Sequence, residues 1–169
     1  MASTLTVDNI VGATTAAKVK LPAGSVLQTV FAQAGAAVTT NVSDLANPVD
    51  CLSATITPKY SSSKILVIAS HVIGGGADGV GANMFLKKGG TLLPTSEIGG
   101  DTAGLMVYGI GRSQDHSAHH TFHHLNSPNT TSATTYTVAM GRYGGSSIAS
   151  YTMNGTKDKN TLTLMEISQ

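Results

Sequence analysis

Apolar residues fall along this chain in short runs separated by turn-forming residues, and that pattern predicts β-strands. Runs of strand character cover residues 25–33, 51–57, 65–73, 82–88, 91–94, 104–110, 119–125, 135–143, 147–153 and 161–167. Between nearly all of them stand Pro58 with the serines of 61–63, the glycines of 74–81, Gly89–Gly90, Gly99–Gly100, Asn126 to Asn129, Gly144–Gly145 and Asn154–Gly155. Pro and Gly punctuate strands because one lacks a donor and the other reaches backbone angles that turns require. No dozen residues hold a helical period. Residues 32–46 come closest, and their glycine and β-branched residues spoil it. Many short strands at this spacing imply an all-β sandwich or barrel.

Individual runs say more. The segment 65-ILVIASHVI-73 is apolar at odd and even positions alike, as a central strand covered on both faces requires. Residues 135-TYTVAMGRY-143 alternate, with Tyr136, Val138 and Met140 on one side and Thr135, Thr137 and Ala139 on the other. The runs 84–88 and 91–93 are joined by Gly89–Gly90, the length and composition of a two-residue hairpin. Residues 1–24 are too polar and too few to own a core. They read as an arm held by a neighbouring subunit or assembly partner, with a loose tail or a strand added to the chain's own fold as the alternatives, and residues 25–169 read as the β domain.

Composition sharpens this picture. Only 11% of the 169 residues are charged, well below the usual quarter. That shortage implies surface buried against other subunits. A net charge of +1 gives no electrostatic case for nucleic acid or for an anionic membrane. The first twenty residues lack the basic opening and apolar stretch of a signal peptide, and no apolar run reaches the ~18 residues of a membrane span. Cys51 is the one cysteine, so no internal disulfide forms, and its apolar run makes it a buried, inert thiol. Asn41, Asn129 and Asn154 head Asn-x-Ser/Thr triplets, a common accident in a Thr-rich chain.

Catalytic equipment is missing from the sequence. The glycines of 74–81 lack the Lys-Ser/Thr that a phosphate cradle needs, and no nucleophile elbow is present. Asp78, Glu97, Asp101 and Asp115 are scattered over loops with no reason in the sequence to pair. The expectation is therefore a protein that is not an enzyme. Histidine is the exception, since five of the six lie within residues 116–124. On a helix the spacing of His119, His120, His123 and His124 would suit zinc. The all-β setting favours a strand, which places His120, Phe122 and His124 on one face and His119, Thr121 and His123 on the other. Phe122 then turns its face inward. Three readings stand: an edge or subunit-interface strand; a divalent transition metal on a threefold axis, held by His119, His120, His123 or His124 from each chain; and a pH-sensitive or ligand-contacting surface. His71, alone within 65–73, reads as a satisfied core or interface residue.

Three stretches together carry a family resemblance. They are 3-STLTVDNI-10 with 19-VKLPAGSVLQTV-30, 56-ITPKYSSSKILV-67 leading into 84-MFLKKGGTLL-93, and 125-LNSPNTTSATTYTV-138 closed by 161-TLTLMEI-167. In this order the chain resembles the small tail-fibre and virion structural proteins of tailed bacteriophages. The resemblance implies a jelly-roll domain similar to the tumour-necrosis-factor and complement type, assembled as a homotrimer and displayed on a virion. Residues 1–24 would then join other virion proteins, and polar loops would contact a host-surface saccharide through Asp78, Asp101, Arg112 and Asp115. A capsid decoration protein and a soluble lectin-like module are the alternatives. Two features depart from the pattern: Asn126 stands where such proteins carry aspartate, and the histidine-dense segment is this chain's own.

Overall fold

The computed structural model of the chain describes residues 21–34, 36–40, 47–75, 81–98, 105–107, 116–143, 151–153 and 160–169. They form β1 (Val26–Gln33), β2 (Val38–Thr40), β3 (Val49–Ile56), β4 (Lys64–Gly75), β5 (Gly81–Lys88), β6 (Thr91–Leu92), a single helical turn α1 (Thr95–Ile98), β7 (Leu105–Val107), β8 (His116–Asn126), β9 (Thr134–Tyr143), β10 (Tyr151–Met153) and β11 (Thr161–Ile167). Every strand foreseen from the patterning is present in whole or part. β2 is an addition, and it falls in the stretch that came nearest to a helical period. The N-terminal arm lies outside the described residues except for 21–24. There, Gly24 N donates to Ser168 O at 2.8 Å and Ser168 Oγ donates to Leu21 O at 3.3 Å, so the entry to β1 lies beside the end of the chain.

Two antiparallel sheets face each other. In the first, which we call sheet A, β1 pairs with β11 and β11 with β4. β10 continues along the same edge of β4 and carries β2, while β8 runs the length of the opposite edge, from Ile65↔Asn126 to Gly75↔His116. In sheet B the order is β3, β9, β5, with β6 and β7 both pairing with β5. Successive long strands thus cross between sheets in the order of a jelly roll. The tightest link is the hairpin between β5 and β6. Gly89 and Gly90 take φ of +58° and +82°, the left-handed pair of a type I′ turn.

The core lies where the inner faces meet. Sheet A contributes Ile65, Val67, Ala69, Ile73, Leu162 and Leu164, and sheet B contributes Ala54, Ile56, Met84, Leu86, Tyr136, Val138 and Met140. β9 turns Tyr136, Val138 and Met140 into the core as foreseen, but Thr137 and Ala139 on its other face are buried as well. β4 differs from expectation. Its inner residues are buried, but Leu66, Ile68, Ser70 and Val72 on its other face are only half-covered. Sheet B packs over the inner face of β4 only, so the apolar second face stays in contact with solvent.

Candidate functional site

The histidines sit on β8, and the period of a strand divides them as the sequence suggested. His120, Phe122 and His124 turn toward the interior and are half-buried, whereas His119, Thr121 and His123 are exposed on the outside of sheet A. Residues four apart on one strand stand ~13 Å apart, so neither pair can hold a common ion within one chain. Among the described residues no three metal-binding side chains gather. Each face has acquired a different setting instead.

Inside, His120 lies directly across from His71 of β4, and their ring centroids are 6.1 Å apart. Phe122 meets His71 edge-on at 5.9 Å. His71 is 2% exposed, and neither ring nitrogen finds a hydrogen-bond partner. Of the expected satisfied core or interface histidine, the satisfied-core reading is therefore corrected: within this chain the ring is buried with both nitrogens unpaired, His120 standing beside it without a hydrogen bond. Burial, followed by the like charges of His120 and His119, pulls its pKa down to about 4. His120 shifts down as well, through burial and then His119.

At the far end of β8 the chain builds a polar cluster that its sequence concealed. Asn126 is 1% exposed. Its Oδ1 accepts from the Tyr136 hydroxyl at 2.6 Å, and its Nδ2 donates to Glu97 Oε1. The same Glu97 oxygen lies 3.4 Å from His124 Nε2, out of hydrogen-bonding alignment. Glu97 had seemed a scattered surface acid. It reaches this site because α1 follows the β5–β6 hairpin and brings position 97 to the end of β8. Burial, then the negative charge of Glu97, pushes the Tyr136 phenol up and keeps it a neutral donor.

A buried acid ties two distant stretches of the chain together. Glu166, in the closing TLMEI, is fully buried. Its Oε1 accepts from the backbone N–H of Lys59 at 2.7 Å and of Tyr60 at 3.3 Å, while Oε2 accepts from Gln28 Nε2 at 2.6 Å. The turn of 56-ITPKYSSSKILV-67 is thereby fastened to β11 and β1, and a buried carboxylate has donors on both oxygens.

The outer faces of the two sheets differ in kind. On sheet A the strand register aligns Thr29, Met165, Leu66 and Leu125 in one row and Phe31, Thr163, Ile68 and His123 in the next. Phe31 is 60% exposed and Leu125 48%. Beside them, Ser70 Oγ lies 2.9 Å from His119 Nε2 and accepts from Thr121 Oγ1 at 3.3 Å. Sheet B presents hydroxyl pairs instead, Ser53 with Thr137 at 2.9 Å and Thr55 with Thr135 at 2.8 Å, and the ion pair of Lys87 with Asp50 at 2.5 Å. Cys51 is half-buried near that ion pair; burial, then Asp50, pushes its thiol up to about 12.

The proposed saccharide contacts Asp78, Asp101, Arg112 and Asp115 all lie outside the described residues. The glycine-rich connection foreseen at 74–81 is shorter than its sequence implied, since Gly74 and Gly75 belong to β4 and Gly81 to β5. Compared with protein-family models and with curated proteins, the chain has no match in either.

Proposed function

We propose that this chain is a non-catalytic virion structural protein of a tailed bacteriophage, a homotrimeric jelly-roll module that residues 1–24 fix to the particle and whose loops face the host. One observation carries the assembly part of this reading. The outer face of sheet A carries Phe31, Leu66, Ile68, Leu125 and Met165 in two adjacent rows, with Thr29, Thr163 and His123 among them, and Val26 at its border is 49% exposed. Exposed apolar patches of this kind in a low-charge chain mark contact surfaces. A second copy of the same chain is the partner its chemistry fits, for the rows through Thr29 and Phe31 hold no Lys, Arg, Asp or Glu, and Lys64 stands only at their margin, in the row of Val26. The hydroxyl-rich face of sheet B suits the outside of such an assembly. The virion role itself rests on the resemblance of the three stretches.

Sedimentation of the purified protein tests the assembly. Wild type should sediment as a trimer, and Phe31→Asp together with Leu66→Asp should yield a folded monomer; a monomeric wild type would end this reading. Adsorption by particles lacking the protein separates the roles. Lost adsorption supports a tail-fibre module, whereas intact adsorption with heat-fragile heads would replace it with a capsid decoration protein.

A further inference from the structure

His71 is the buried side chain whose place the core does not explain. A leucine there would continue the run Ile65, Val67, Ala69, Ile73 along the inner face of β4. The imidazole instead occupies an apolar niche, 2% exposed, with both nitrogens unpaired. On the side of β8 it is covered by the ring of His120 at 6.1 Å and by Phe122 at 5.9 Å. Among the described residues β8 pairs with β4 alone, so it forms an edge of sheet A.

We propose that His71 and its two covering side chains make β8 an acid-released strand, one that separates from the edge of sheet A in mildly acidic surroundings while the remaining sandwich holds. The reason is where a proton can go. Charging a buried imidazole without a partner is costly. His120 and His119 on β8 repel the charge. On the other flank of β4, Asn160 spends its Oδ1 on Val72 N at 2.7 Å. The inner face of sheet B offers apolar side chains, the neutral Tyr136 phenol and, at its margin, the neutral Cys51 thiol. The described carboxylates are engaged elsewhere: Asp50 with Lys87, Glu97 with Asn126, and Glu166 with Lys59 N and Gln28. Release of β8 removes the cover, and water then solvates the charged ring. The strands β1, β11 and β3 hold no histidine and lie away from this edge.

The pH window follows from the two states. With β8 paired the ring protonates near 4, and once uncovered it returns to 6.5. The open form therefore gains a proton that the closed form lacks as pH falls below 6.5, and the gain is complete near 4. Between pH 7.5 and 5 the opening equilibrium rises roughly 30-fold through His71 alone. His120, shifted the same way, adds to it. This device stands independently of the assembly proposed above.

Hydrogen exchange of the intact protein at pH 7.5 and 5.0, with the intrinsic chemical rates divided out, reads the effect. Protection of residues 119–125 should fall roughly 30-fold or more while β1 and β11 keep theirs. His71→Phe should abolish the difference. Equal loss in β8 and β11 would mean general acid unfolding and overturn the proposal, as would a His71→Phe protein that keeps the acid response. Should that variant fail to fold, NMR titration of the wild-type His71 ring decides: titration well below the ordinary range supports the device, and titration at 6.5 refutes it.

Discussion

Replacing Asn126 by aspartate should destabilise the fold. The change is nearly isosteric. Tyr136 keeps its acceptor at 2.6 Å, since an aspartate oxygen replaces Oδ1. What is lost is the Nδ2 donor to Glu97, and in its place a second carboxylate faces the first in a site where position 126 is 1% exposed. Losing a hydrogen bond to a charged group costs about 1.5–3 kcal/mol. The added repulsion is limited because Glu97 is partly exposed and because the two carboxyls can share a proton. A net loss of about 2–4 kcal/mol at pH 7.5 follows. The sign with pH is distinctive. Repulsion raises the folded-state affinity of the carboxylate pair for a proton, so the penalty is present when the pair is ionised and shrinks as pH falls and the acid at 126 again donates to Glu97. Urea unfolding followed by circular dichroism, at pH 7.5 and 5.0 and at fixed protein concentration, measures the loss against wild type at each pH. Glu97→Gln in the Asn126→Asp background should recover most of it by supplying a donor. An Asn126→Asp protein within about 0.5 kcal/mol of wild type at pH 7.5, or a double variant no better than the single one, would refute the placement of Glu97.

Two further outcomes rest on the core. Glu166→Gln should lower stability by about 1–3 kcal/mol, measured by urea unfolding, because its new amide must present hydrogens either to the Lys59 and Tyr60 N–H groups or to Gln28, which is itself held by Thr57 O at 2.7 Å. Cys51, its thiol raised to about 12, should react with a disulfide reagent at pH 8 more than roughly 100-fold slower in the native protein than in urea; comparable rates would show that the thiol is not held in its half-buried niche.

Local rules made much of this molecule legible. Strand positions followed from residue pattern and turn chemistry, since a two-residue period and Gly89–Gly90 depend only on near neighbours. The same period assigned His120, Phe122 and His124 to the inside before any tertiary contact was known. Their settings were not legible. Glu97 meets Asn126 across 29 positions, and Glu166 meets Lys59 across 107; no sequence rule ties such distant residues together. His71 reads like any histidine in an apolar run, and only the face of β8 that closes over it leaves its nitrogens unpaired. Likewise the doubly apolar pattern of β4 announced two covered faces, but the folded chain covers one. Sequence by itself determined the strands and the side on which each residue stands, because backbone geometry sets both within a few residues. Only the tertiary structure decided which buried polar groups found partners and which apolar face was left open, because both depend on which strands the chain brings side by side.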